Sequence, residues 1–320
     1  MKFGKLTTSE LNDNVIKLLH SARAEVLASA KIGEDCAALD LSGIILVSSD
    51  PITAQMELDK LGALCVSVCC NDISANGGQP VAMTVTLLMP PTFSATDVGV
   101  IMKSASEKAS ELGVDIVGGH TEFTDCVTRP VISGTAIGKA ERLLLKSGLK
   151  VGDKLLVTKD LAMEGTCILA EKSRVQFTES EKVKLLQMNE SLDVNRESKL
   201  LSGLDCVSAM HDVTEGGILG AVAEICINAN VGATVYEKLM PVNEITKKVC
   251  ASLKVDALRL ISSGSMLIVT SDERKVENIL SIHGIKVTCI GQVTEKEIKL
   301  IKADGGSEEI DVLPDELYKF

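Results

Sequence analysis

The chain has 320 residues, 45% of them hydrophobic and only 2% aromatic, with 44 acidic against 33 basic side chains and a net charge of −11. With a pI near 5.0, that balance excludes a nucleic-acid partner, which calls for a basic surface, and the few aromatics leave no platform for stacking bases. No charge-free apolar stretch approaches the ~20 residues of a membrane helix, and Met1 to Asn14 lacks an apolar signal core, so a cytoplasmic chain of two domains with no membrane partner is expected.

In chain order, apolar residues at Val15, Ile16, Leu18, Leu19 and Ala22 predict a helix over Leu11–Ser29. Ile44-Ile45-Leu46-Val47 reads as a short buried strand that ends at Ser48-Ser49-Asp50. A helix over Leu58–Ile73 is closed by Asn76-Gly77-Gly78. Strand Val81–Met89, a helix over Thr96–Leu112 capped by Gly113, and strand Val114–Val117 running into Gly118-Gly119 follow. Val131–Gly138 is expected to return beside that last strand, with Thr121–Pro130 as the turn. Beyond a boundary near 140–150, strands are expected over Lys154–Thr158, Ile261–Thr270 and Val287–Val293, and helices over Met163–Ala170, Glu179–Leu192 and Thr214–Ala229. The alternation points to an α/β or α+β architecture with mixed sheets.

Ten cysteines raise the question of disulfides or zinc, but most are scattered singly among apolar neighbours. No C-x-x-C pair is present. Cys65, Cys69 and Cys70 lie in a helix-like apolar run, so the thiols are expected to serve as small buried hydrophobes.

Acids and glycines recur where apolar runs end. Asp35, Asp50 and Asp72 each stand at such a point, and alone each reads first as a cap or turn residue. Together, before an Asn-Gly-Gly turn, they make a shared Mg2+ site competitive, because magnesium takes oxygen ligands from one or two carboxylates plus substrate phosphates. Gly118-Gly119 after a strand lets backbone amides face an anion, with His120, Thr121 and Glu122 adding donors and a carboxylate. His211-Asp212-Val213-Thr214-Glu215-Gly216-Gly217 precedes an apolar helix. There Asp212 or Thr214 is expected to cap, and the glycines to open an N-terminus suited to phosphate. His211 is either a general acid–base or a structural hydrogen-bonder. Ser262-Ser263-Gly264-Ser265 is a weaker candidate for the same lining.

In this order the clusters resemble the superfamily of aminoimidazole ribonucleotide synthetase, selenophosphate synthetase, thiamine-monophosphate kinase and the hydrogenase-maturation protein HypE, and most nearly HypE. Gly33-Glu34-Asp35-Cys36-Ala37 matches a G-[DE]-D-[AC]-A box, Ser49-Asp50 and Asn71-Asp72-Ile73 the next acidic boxes, and His211 to Gly217 an H-D-x-T-x-G-G box. The resemblance implies a two-domain PurM-like fold. An N-terminal α/β domain, residues 1–145, would dimerise through its sheet into a barrel, and a C-terminal α+β domain, residues 146–320, would cover it.

It also implies ATP in the cleft with Mg2+ held by Asp35, Asp50 and Asp72. Asn71, Gly118, Gly119, Thr121, Asp212, Thr214, Gly216 and Gly217 would be nucleotide contacts, and Asp72, His211 and Glu122 catalytic groups. The implied activity is phosphorylation that activates an amide-type oxygen of a small-molecule or partner-protein acceptor. A nucleotide-binding regulatory or scaffold protein and a small-metabolite kinase are the alternatives.

Three departures shape these expectations. HypE proper ends in a cysteine that is carbamoylated and dehydrated, whereas the last cysteine here is Cys289, so a different acceptor is expected. The Ser-Asp-Gly box of thiamine-monophosphate kinase is absent where His211–Gly217 stand. Of the N-terminal segment of selenophosphate synthetase only Gly4-Lys5 remains, with Lys5 as a phosphate contact.

Overall fold

The structure, a computed structural model, describes residues 3–32, 36–53, 56–170 and 172–320. It divides into two compact units: Met1–Ser74 with Gly78–Glu141, and Ala75–Gly77 with Arg142–Phe320.

The first unit runs β1 (Gly4–Lys5), α1 (Thr8–Asn14), β2 (Val26–Ala28), β3 (Ala38–Leu39), β4 (Ile44–Ile52), α2 (Leu58–Ala75), β5 (Gln79–Met89), α3 (Ala95–Leu112), β6 (Asp115–Phe123) and β7 (Val131–Ala140). Among the described residues its main sheet has the order β1-β6-β5-β7-β4, and β2 and β3 form a separate pair. Helix α2 lies close on β7. A Cβ built on Gly134 would meet Cys69 Sγ at 2.6 Å, and one on Gly138 would meet Ile73 Cγ2 at 2.4 Å. Cys65, Cys69 and Cys70 are fully buried here, as the apolar run suggested, and the Cys65 thiol is pushed well above its ordinary pKa by the adjacent Cys69 and by burial. Helix α3 starts in a Ser94/Asp97 capping box and ends at Gly113, whose φ of 68° is the left-handed cap.

Four expectations are corrected in this unit. The helix expected over Leu11–Ser29 stops at Asn14. A short 3-10 turn over Ile16–Leu18 follows, and further on Asp115, a buried carboxylate, accepts from Ser21 Oγ at 3.1 Å and from the N–H groups of Ala22 at 3.0 Å and Arg23 at 3.1 Å. Those amides are thereby unavailable to helix carbonyls, and the chain turns into β2. The run Ile44–Val47 is not buried: β4 is an edge strand with Val47 64% exposed, and it continues through Asp50 to Ile52. Strand β7 pairs with β5 and β4, not with β6, because β5 lies between them. Finally, Thr121–Phe123 belong to β6, so the turn is shorter than expected.

The second unit runs β8 (Lys154–Thr158), α4 (Met163–Leu169), α5 (Glu179–Glu190), α6 (Asn195–Leu201), β9 (Val207–Asp212), α7 (Gly217–Ala229), β10 (Gly232–Tyr236), α8 (Glu244–Leu253), β11 (Met266–Thr270), α9 (Glu273–Ile282), β12 (Val287–Thr294), β13 (Ile298–Ile301) and β14 (Ser307–Glu309). Its sheet has the order β14-β13-β10-β12-β8-β11-β9. On one face Leu155, Val157, Ala209 and Leu267 pack with the apolar residues of α7. On the other, Leu156, Met210 and Ile268 pack with Leu201, Val276 and Leu280 of α6 and α9. Alternation along the strands feeds both cores.

The strand expected from Ile261 begins only at Met266. Ser262 and Ser265 instead tie a turn to the loop before α4: Ser262 Oγ accepts the Ala162 N–H at 2.7 Å and Ser265 Oγ donates to the Asp160 carbonyl at 2.9 Å. The sequence reading missed α6, α8 and α9 altogether.

Candidate functional site

In the first unit, β6 carries a bulge. Its pairing with β5 runs Met83–Ile116 and then Thr84–Gly118, leaving Val117 as the extra residue. Gly119 follows with φ of 151°, and a Cβ there would sit 1.8 Å from the Val85 carbonyl oxygen. Only glycine fits that approach. Because β1 pairs with β6 only at Glu122 and Phe123, the outer edge of β6 before them has no partner strand among the described residues.

A cavity of about 310 Å³ opens at this edge. It is lined by Gly118, Gly119, His120 and Thr121, by Lys5 and Lys31, and by apolar residues that include Leu11 of α1, Val15 just after it and Met102 of α3. Its described lining contains two lysines and no carboxylate, which suits an anion bearing an apolar body. Ile32 and Cys36 also line it. They flank Gly33, Glu34 and Asp35, which lie outside the described residues, so the Asp35 metal expectation stands outside them too.

Two other acids are brought together elsewhere. Ser48 and Asp50 alternate onto one face of β4, and Asp72 reaches them from α2. Ser48 Oγ donates to Asp72 Oδ2 in a short hydrogen bond and lies 3.4 Å from Asp50 Oδ2. One hydroxyl proton stands between two carboxylates, so negative charge concentrates there. Two carboxylates and a hydroxyl are an all-oxygen set that suits a hard cation such as Mg2+. Among the described residues no three His, Cys, Asp or Glu side chains converge as metal ligands. Asn71, next to this pair, is fully buried in α2. Strands β4 and β6 are three places apart in the sheet, roughly 14 Å, so the acid pair and the glycine edge form two groups within one chain.

Glu122 lies opposite Lys5 across β1 and β6 and meets His120 Nε2 at 3.2 Å. It does not line the cavity.

In the second unit, His211 stands on β9 with Nε2 3.0 Å from Glu224 Oε2 of α7 and Nδ1 3.8 Å from Asp212 Oδ1. Asp212 is buried. Neither Asp212 nor Thr214 caps α7. The N-cap is Gly216, with φ of 78° and no side-chain cap bond. The carboxylate at this turn comes from 99 residues away: Asp315 Oδ2 accepts the Gly216 N–H at 2.7 Å.

Residues 33–140 match the N-terminal domain, and residues 150–302 the C-terminal domain, of AIR synthase related proteins. The chain belongs to the AIR synthase related family. It is 28% identical over 242 residues to a Methanocaldococcus jannaschii protein assigned to hydrogenase expression/formation, covering 74% of this chain and 71% of that one. It is 24% identical over 276 residues to the carbamoyl dehydratase HypE of Azotobacter vinelandii, covering 80% and 77%. It is 27% identical over 282 residues to the thiamine-monophosphate kinase of Pyrococcus horikoshii, covering 84% of each. Among solved structures, the hydrogenase maturation protein HypE in complex with ATP superimposes with a TM-score of 0.81 at 21% identity, covering 97% and 96%. The PurM-like, HypE-like fold expected from the motifs is therefore the fold of this AIR synthase related chain.

Three groups that take part in these arrangements, Lys31, Glu224 and Asp315, were not expected from the sequence, and Ser48 was named only as part of the Asp50 cluster. Ser48 was legible as the i−2 neighbour of Asp50 on a strand. Lys31 stands two residues before the Gly33 box. Glu224 and Asp315 reach their partners through tertiary packing and leave no local pattern.

Proposed function

We propose that this chain is a Mg2+-dependent, ATP-using enzyme of the HypE-like kind, which activates an amide-type oxygen of an acceptor by phosphorylation. The observation that carries this reading is the first-unit cavity, where Lys5 joins Gly118, Gly119 and Thr121 from more than a hundred residues away to line one anion-suited space. Asp50 and Asp72 would hold the metal through their oxygens, with Asp35 as the third acid. The metal would neutralise phosphate charge during transfer. Asp212, Thr214, Gly216 and Gly217 would take the second-unit contacts. His211 and Glu122, each already paired with a neighbour, would serve as proton-handling groups.

The relatives support the reading by what they are: a carbamoyl dehydratase and a phosphotransferase. The kinase relative also favours a second reading, phosphorylation of a small metabolite. In either, a homodimer joined along β4 would bring the acid pair and the glycine edge to one nucleotide.

Steady-state ATP turnover with and without Mg2+ tests the reading. Asp72→Ala is expected to lower Mg2+-dependent turnover by at least about a hundredfold, with an unchanged unfolding transition. Turnover equal to wild type would remove the proposed role of the acid pair. Tight ATP binding with no phosphate release in the wild type would favour a regulatory or scaffold protein.

A further inference from the structure

Helix α7 has 13 residues, opens on two left-handed glycines, Gly216 at φ 78° and Gly217 at φ 61°, and has no side-chain cap from its own segment. The N–H groups and dipole at a helix start favour an anion, although here the Gly217 N–H already donates to the Thr214 carbonyl at 3.1 Å. The anion that meets them is Asp315, whose Oδ2 accepts from Gly216 and whose Oδ1 accepts from Leu317, each at 2.7 Å. The carbonyl oxygen of Leu313 crosses the same turn, 3.4 Å from where a Gly216 Cβ would be.

Two buried polar atoms lie beside this carboxylate with no hydrogen-bond partner: Glu164 Oε2 and Ser263 Oγ, in residues 4% and 1% exposed. Glu164 feels the charges of both Asp315 and Glu215. Burial raises the pKa of Asp315, so its ionised form is costly where it sits. A polar site is thus built at this turn, with an acceptor and a hydroxyl that have no partner beside a Gly216 N–H that Asp315 takes and a Gly217 N–H that the Thr214 carbonyl takes at 3.1 Å.

The segment that delivers Asp315 is lightly held. Val312, Leu313, Tyr318 and Phe320 are each about half exposed or more. It is tied by the Tyr318 hydroxyl donating to Glu215 Oε1 at 2.5 Å, by Lys172 Nζ donating to the Phe320 carbonyl at 3.3 Å, by Arg259 Nη1 donating to the Asp311 carbonyl at 3.2 Å, and by Leu317 against the α4–α8 cluster.

We propose that residues Asp311–Phe320 form an internal competitor, in which the Asp315 carboxylate stands where an oxyanion of the phosphate class binds at the Gly216–Gly217 turn. The inference rests on reading that turn as a phosphate cradle. Entry of a phosphate displaces Asp315, and Ser263 Oγ and Glu164 Oε2 then meet the rest of the ligand.

Inorganic phosphate titrated into the full chain and into Asp315→Ala, read at the Gly216 and Gly217 amide resonances, tests this. In Asp315→Ala the amides are expected to respond at phosphate concentrations at least about tenfold below those the wild type needs. Equal response in both proteins, or none in either, overturns the proposal. Should Asp315→Ala fail to fold, Asp315→Asn keeps the acceptor oxygen and drops the charge, and the same direction of change is required of it. MgATP turnover in the same samples separates the two readings. A phosphate gain with no turnover in any protein keeps the competitor and removes the enzyme. Turnover without a phosphate gain removes the competitor alone.

Discussion

Glu164 is a carboxyl held where its charge is costly. Burial is the largest cause, the charges of Asp315 and Glu215 add to it, Ser263 offsets part of it, and the pKa rises from 4.5 to about 7. The folded chain therefore holds this proton more tightly than the unfolded chain does. The stability it contributes is fully present below about pH 4.5 and is lost as pH rises through about 7. Wild-type urea midpoints are expected to fall, relative to those of Glu164→Gln, as pH rises from about 5 to about 8. A difference between the two proteins that stays constant over that range would show that Glu164 does not titrate there. On α5 and α8, which pack against α4, Glu181 pairs with Lys248, Glu179 with Lys182 and Glu244 with Lys247. Those pairs are compensated, and the charges that raise Glu164 are Asp315 and Glu215.

At the scale of the element, the bulge in β6 separates two neighbouring glycines that look alike in sequence. A Cβ on Gly118 would meet only Thr84 Cγ2, at an ordinary 3.7 Å, whereas one on Gly119 would overlap the Val85 carbonyl at 1.8 Å with φ at 151°. Gly118→Ala is expected to change stability by less than about 1 kcal/mol, and Gly119→Ala to cost about 3 kcal/mol or more, by denaturant unfolding. Equal costs would mean that the bulge is not what requires glycine. The sequence showed that a Gly-Gly pair followed a strand, but not that the strand continued past it, because a bulge is set by register with β5 and not by local pattern. Helices α2 and α3 were legible to within a few residues, since their periodicity and their Gly stop signals are local. The turn into β2 was not, because it is held by the carboxylate of Asp115, some ninety residues away. The same limit hid Asp315 at the start of α7, where Asp212 and Thr214 were the nearer candidates. The acids Asp50 and Asp72 were legible individually, and their meeting at Ser48 was half legible, through strand alternation.

At the scale of the whole molecule, β4 poses a problem that one chain leaves unsolved. It is a nine-residue edge strand, and Ile44, Ile45 and Val47 stand exposed at 40%, 41% and 64%. Among the described residues no strand pairs its outer edge, and such an edge with β-branched side chains is a template for pairing with another strand. Asp50 and Pro51 stand only near its end, and over Ile44–Val47 neither a charge nor a bulge blunts it: β4 pairs with β7 without a break in register from Ile44 to Ile52. Water leaves those side chains at a cost that a second copy of the same edge relieves symmetrically, which is how two-fold dimers form. The wild-type chain is therefore expected to sediment at twice its 33.9 kDa mass. Val47→Lys places a charge on the outward face of the edge without touching the face that packs on α2, and is expected to yield a folded 33.9 kDa species. If the acid pair and the glycine edge meet only across that dimer, Val47→Lys also loses Mg2+-dependent ATP turnover while keeping Asp50, Asp72 and the β6 bulge intact. A monomeric variant with full turnover would place the whole site within one chain, and a variant that remains dimeric would move the interface away from β4.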